Sequence, residues 1–135
     1  MPQTLTVVAY AVVENDCLLT VRKRNTSKFM FPGGKLNPGE SRLDAVVREV
    51  QEELSCQVDL ATVDFLGEFV TEAANEANTQ LVANVYSGAL IGKPVPSNEI
   101  EELLWLSSPS RYPLTQLAPL ITDCVWPRLF DRPLA

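Results

Sequence analysis

The order of apolar periodicities predicts an α+β fold, a mixed β-sheet sandwiched between helices. Three observations carry this. Residues 5–13 form a β-branched apolar run, and residues 17–21 form a second one just after the turn Glu14-Asn15-Asp16, which predicts a hairpin. Residues 41–54 carry Leu43, Val46, Val47, Val50 and Leu54 at helical spacing, one apolar stripe on one helix. Further strand-like runs at 58–69, 81–90 and 103–106 precede a second helical pattern at 117–130. Hairpins with few crossovers, flanked by helices, are the pattern of an α+β sheet.

The intervening segments read as loops. Residues 22–28 are polar and basic, Phe31-Pro32-Gly33-Gly34 is rich in breakers, and residues 71–79 are polar and acidic. Residues 92–98 contain glycine and two prolines and form another loop. The first helix opens with Glu40 and Ser41, and Asp44 lies in its first turn, where a negative charge suits the helix dipole. In the second helix Pro119 fits only the first turn, and Pro127 should end or kink it.

Composition narrows the function. The 135 residues, 46% hydrophobic and 21% charged, fit one domain spanning 1–135 with a real core. No apolar stretch reaches the roughly 18 residues of a membrane span, so no membrane association is expected. The first apolar run lacks a basic leader and reads as a strand, not a signal peptide. Cys17, Cys56 and Cys124 are scattered and odd in number, which points to reduced thiols and a cytoplasmic location. The chain has no histidine, so acid–base chemistry falls to carboxylates, Lys, Tyr, Cys or water. A net charge of −6 argues against a nucleic acid polymer as partner. A polyphosphate substrate would need a divalent cation to screen like charges.

On the first helix Glu49, Glu52 and Glu53 fall together opposite the apolar stripe. Alone, such a cluster is an ordinary solvated acidic face. Here Gly33-Gly34 lies just upstream, Glu40 precedes the helix, and Arg48 sits beside the cluster. Mg²⁺ takes a few carboxylates plus waters and phosphate oxygens. A glycine pair lets a backbone carbonyl come close without a side chain in the way.

The sequence Gly34, Glu40, Arg48-Glu49-Val50, Glu52-Glu53 resembles the Nudix box, G-x5-E-x7-R-E-U-x-E-E-x-G-U with U aliphatic. Ser55 and Cys56 depart from it, standing where the pattern has glycine and an aliphatic residue. The resemblance implies a Nudix fold and a pyrophosphohydrolase that cuts a phosphoanhydride bond with the help of Mg²⁺, or Mn²⁺ in its place. It implies that the Gly33 carbonyl with Glu49, Glu52 and Glu53 binds the metal, that Arg48 orients Glu49, and that Glu40 is the acidic partner of Arg48. It leaves the general base open among Glu49, Glu53 and a loop glutamate. Glu99 resembles that loop glutamate of the MutT-like branch, with mere solvation of a strand entry as the equal alternative. Arg22, Arg24, Gly34, Lys35 and Phe29 are the expected substrate contacts. Of the cations, Arg22 and Lys35 flank the site most closely, whereas Lys23 and Lys28 read as surface charge; Phe29 either stacks on a base or packs.

Family sub-patterns outside the box narrow the substrate. Leu18-Leu19-Thr20-Val21-Arg22 begins like the coenzyme A branch, but Lys23 and a short spacer break it. Thr71 and Glu72 stand where the ADP-ribose branch has proline, and no tyrosine near Ala73 serves the diadenosine polyphosphate branch. What remains is the MutT-like group: a nucleoside triphosphate, oxidised or not, cut to the monophosphate and pyrophosphate. The alternatives are a nucleoside diphosphate-sugar or dinucleotide hydrolase, or a nucleotide-binding module without catalysis. Family members are often dimers, so the resemblance admits a homodimer. Ser55→Gly is expected to stabilise the chain if Ser55 holds a left-handed backbone.

Overall fold

The computed structural model describes residues 3–74, 76–107 and 116–130. The first apolar run is strand β1, Gln3–Ala11. The turn with Asn15 and Asp16 at positive φ joins β2, Val13–Glu14, to β3, Cys17–Lys23. The expected loop at 22–28 therefore starts later, because Arg22 and Lys23 continue β3. Its partner β9, Ile100–Leu106, is likewise longer than the apolar residues alone suggest. The added residues pair across the two strands, Arg22 with Glu102 and Lys23 with Ile100, and Arg22 Nε lies 2.8 Å from Glu102 Oε1; just past β3, Arg24 Nε lies 3.3 Å from Glu101 Oε2.

Gly33–Lys35 forms β4, antiparallel to β1 at one sheet edge. Helix α1 spans Arg42–Leu54, and Ser41 caps it by accepting from the Asp44 N–H at 3.1 Å. The apolar run at 58–69 is not one strand. β5, Gln57–Val58, stops where the Asp59 side chain accepts from Ala61 N–H and caps a 3₁₀ turn, and β6 then runs Asp64–Glu72. The run at 81–90 divides similarly into β7, Thr79–Ser87, and β8, Leu90–Ile91, which pairs back with β5. Part of the expected 71–79 loop is strand, and Asn75 within it lies outside the described residues.

The main sheet has the order β4-β1-β7-β6, with β1 parallel to β7 and the other pairs antiparallel, so it is mixed. Strands β2, β3 and β9 make a second sheet. Alternation along β1 serves two cores. Val8 and Tyr10 pack with Ala45, Val46, Val50 and Leu54 of α1. Ala9 and Ala11 pack on the other side with Leu120, Ile121, Val125 and Trp126. The segment 117–130 is not a plain helix: Leu120–Val125 is a π-helical turn, and α2, Trp126–Phe130, follows. Pro119 stands at its N-terminal end as expected. Pro127 sits where the wide turn gives way to α2, so the proline without an N–H marks a change of helical register rather than an end.

Ser55, the departure from the Nudix pattern, does adopt the left-handed conformation, with φ 53° and ψ 36°, and its N–H returns to Gln51 O. Its hydroxyl also meets Ser97 Oγ at 2.5 Å. Glycine relieves about 1 kcal/mol of backbone strain but forfeits an exposed hydrogen bond of similar size, about 0.5–1.5 kcal/mol. Ser55→Gly is therefore expected to leave the denaturant midpoint nearly unchanged, and the simple stabilisation expected from the sequence is lost to the Ser97 contact.

Candidate active site

Strand β4 passes beneath the polar face of α1, and this crossing builds the site. Gly33 has φ +151°, and a Cβ there would lie 2.1 Å from Val8 O, so only glycine fits. A Cβ on Gly34 would lie 2.8 Å from the Glu49 carboxyl. The bare backbone thus admits the helix carboxylates. Gly33 N–H donates to Glu53 Oε1 at 3.1 Å, which ties the strand to the helix.

Arg48 is the hub. Its Nε and one terminal nitrogen donate to the two Glu40 oxygens at 2.8 and 2.9 Å, a two-pronged grip. The same terminal nitrogen reaches Lys35 O at 3.0 Å, and the other holds Glu49 Oε1 at 2.7 Å. The Arg48 fork, with a further N–H from Asn37, holds the Glu40 carboxyl down to about 2, against an ordinary 4.5. That contribution to stability is present above pH 4.5 and is lost as pH falls toward 2.

Glu53 has the opposite environment. It is buried, with 6% of its surface exposed. Burial, and then the hydrogen-bonding and charged Glu49 carboxyl facing it, push its pKa well above the carboxylate range, while Gly33 N–H and Lys23 pull it back. Two carboxyls in such contact share a proton or a cation.

Glu52 is half-exposed and turns toward Arg48, 3.5 Å away, instead of joining Glu49 and Glu53. Among the described residues no three acidic side chains converge into a ready cage. Like-charge repulsion and the oppositely charged Arg48 one turn back account for this splay. The donors still fit a hard divalent cation: carboxylate oxygens, two of them already in contact, over a glycine backbone. Glu99 lies in the turn before β9, mostly exposed, with its carboxylate 3.9 Å from Lys23 Nζ. Lys23 in turn lines the cavity that begins at Gly33.

The expected substrate contacts divide. Gly34 and Lys35 line a cavity of about 240 Å³ that begins at Gly33 and is walled by apolar residues including Val7, Met30 and Leu81. Arg22 and Arg24 do not line it. Each holds a glutamate of β9, and Arg22 further donates to Thr26 O at 2.9 Å. Phe29 is not on the cavity wall but packs against the α2-side core, bridged to Leu117. Lys23, read from the sequence as surface charge, lines the cavity. The signal that separates it from Arg22 and Arg24 is strand alternation, hidden while 22–28 reads as loop. Trp105 and Trp126 are packing residues, as expected.

A mixed sheet between helices, with an Arg48-centred carboxylate network over a glycine strand, is the arrangement of a Nudix domain, and the pattern of the NUDIX domain family matches residues 2–119. The chain belongs to the Nudix family and is a Nudix hydrolase of the MutT-like kind. It is 29% identical over 115 residues to the CTP pyrophosphohydrolase of Escherichia coli, covering 79% of this chain and 81% of that one. A MutT protein from Methanosarcina mazei matches with TM-score 0.63 and 26% identity over 78% of each chain. A MutT Nudix hydrolase from Burkholderia pseudomallei shares the fold, with TM-score 0.67 and 24% identity over 78% of this chain and 84% of that one.

Proposed function

We propose that this chain is a Mg²⁺-dependent pyrophosphohydrolase, with Mn²⁺ as a substitute, that cuts a nucleoside triphosphate to the monophosphate and pyrophosphate. The observation that carries the reading is the junction of two features at Gly33-Gly34: the Glu53 and Glu49 carboxyls, one bonded to Gly33 N–H and the other against Gly34, and the apolar cavity that the same glycines line with Lys23 and Lys35. A polyphosphate reaching from the carboxylates to a base in the cavity fits that layout. The volume of about 240 Å³ suits one nucleobase rather than a dinucleotide. The relative's name makes a cytidine triphosphate the first substrate to try.

The box resemblance, with the network around Arg48 beside it, supports the following roles. Glu49, Glu52 and Glu53, with the Gly33 carbonyl and Glu99, would hold the cation, and a cation there would supply charge neutralisation for phosphate and acidity for water. Arg48, gripped by Glu40, fixes the Glu49 carboxylate. Glu49 or Glu53 accepts the proton of the attacking water. Lys23 and Lys35 bind phosphate oxygens. The free thiols of Cys17, Cys56 and Cys124 support a reducing, cytoplasmic setting. No helix among the described residues is long and apolar enough to cross a membrane.

A panel of the common and oxidised nucleoside triphosphates, a nucleoside diphosphate-sugar and a dinucleotide polyphosphate, assayed with Mg²⁺, tests the reading. Triphosphates are expected to give the highest kcat/KM. A preference for the diphosphate-sugar or the dinucleotide would replace the substrate class. Binding without turnover across the panel would leave a nucleotide-binding module.

A further inference from the structure

We propose that Ser55, Ser97 and Asn98 are positioning residues that clamp the turn carrying Glu99 onto the C-terminal end of α1, fixing Glu99 against the cation site. The inference rests on the site reading above and extends it to residues outside the box. A helix leaves its last four carbonyls without internal partners. In α1 the local cap satisfies one of them, Gln51 O, through Ser55 N–H at 3.1 Å. The other three are taken by a segment more than forty residues away in sequence. Val95 N–H donates to Leu54 O at 2.8 Å, Ser97 N–H to Glu53 O at 3.0 Å, and the Asn98 side-chain amide to Glu52 O at 2.8 Å. No basic side chain lies in the last turn of α1. These donors therefore answer the negative end of the helix dipole at the very residues that bring the carboxylates.

Ser55 adds a side-chain link that glycine lacks. Ser97 Oγ donates to Val95 O at 2.9 Å, so its one proton is spent, and Ser55 Oγ is the donor in the 2.5 Å contact between the two hydroxyls. The departure from the family pattern at Ser55 thus has a partner across the fold. Beyond the clamp the chain turns: Ile100 N–H donates to Ser97 O at 3.0 Å, and Asn98 takes φ 53°. Glu99 follows directly, and its own carbonyl accepts from Arg24 N–H at 2.9 Å. The backbone at Glu99 is consequently held from both sides, by α1 and by the end of β3. Its carboxylate lies 3.9 Å from Lys23 Nζ, and Lys23 lines the cavity that begins at Gly33 beneath the α1 carboxylates.

The test uses the intact chain and Mn²⁺ alone, with free Mn²⁺ read by electron paramagnetic resonance, beside metal-free melting curves. Asn98→Gly still permits the left-handed backbone and removes the amide donor. It is expected to raise the Mn²⁺ Kd by about tenfold, the usual cost of losing a group that orients a ligand. Glu99→Gln should raise it at least as much, and the double variant no further than Glu99→Gln, because Asn98 acts through Glu99. Ser97→Ala should weaken Mn²⁺ binding and Ser97→Thr restore it. Additive effects of the Asn98 and Glu99 changes, or an unchanged Kd in Asn98→Gly, would overturn the clamp. Glu53→Gln separates the two levels: if it weakens Mn²⁺ binding while Asn98→Gly does not, the clamp alone fails. If Glu53→Gln also leaves the Kd unchanged, the reading of the site fails and the clamp with it.

Discussion

Arg48→Lys is expected to lower turnover by roughly 10- to 100-fold at saturating Mg²⁺, the range seen when a group orienting a metal ligand is lost. Arginine meets two Glu40 oxygens, one Glu49 oxygen and the Lys35 carbonyl at once, with distances from 2.7 to 3.0 Å. Lysine keeps the charge but has no planar fork and no fixed spread of donors. It can neutralise Glu40 while leaving Glu49 free to rotate. The charge-preserving change therefore separates geometry from electrostatics. Steady-state rates with Mg²⁺ titrated to saturation are the check. Turnover within about threefold of the parent would mean that Arg48 merely ties β4 to α1 and does not set the Glu49 carboxylate.

Glu53→Gln should produce the larger loss, about 100-fold or more in turnover, while the metal-free protein becomes more stable. The amide keeps an oxygen for the Gly33 N–H and removes a charge that burial and Glu49 both disfavour. The sign with pH follows from the raised pKa of Glu53. Below the ordinary carboxylate value of 4.5 the group is protonated folded or unfolded, and parent and variant have similar stability. As pH rises above that value the unfolded chain ionises first, and the folded parent loses stability relative to the variant until its own pKa is passed. At pH 8, without metal, the variant is therefore expected to be the more stable of the two. At pH 4 the gap should close. Denaturant midpoints at the two pH values, without metal, measure it. A variant less stable than the parent at pH 8 would place the Glu53 charge in a favourable environment and contradict the burial argument.

The carboxylate site was legible because its parts are local. Glu49, Glu52, Glu53 and Arg48 lie on one helix, and helical periodicity places them on one face without knowledge of the fold. Glu40 and Gly33-Gly34 are near in sequence, so the network around Arg48 needs only a short strand and loop. What the periodicity could not convey was the splay of Glu52 toward Arg48, which is a side-chain choice set by charge. Pairing across sheets was harder to read. Arg22 and Arg24 look like phosphate ligands until β9 brings Glu102 and Glu101 opposite them, a contact about eighty residues away in the chain. Lys23 reads as surface charge for the same reason, since its face is decided only once β3 is known to continue through it. The strand breaks at Asp59 and before Leu90 were masked by apolar composition, which marks burial but not chain direction. Ser97 and Asn98 carried no signal at all, because a helix cap supplied by a distant loop leaves no local pattern.

Product identity in ¹⁸O-labelled water tests the central claim most directly. With Mg²⁺ and a cytidine triphosphate, the parent protein is expected to release nucleoside monophosphate and pyrophosphate in equal amounts, with one labelled oxygen in one of the two. The same reaction should stop in excess chelator and nearly stop in Glu53→Gln. Release of inorganic phosphate with a nucleoside diphosphate, or full activity in chelator or in Glu53→Gln, would contradict a metal-dependent pyrophosphohydrolase built on the carboxylates of α1.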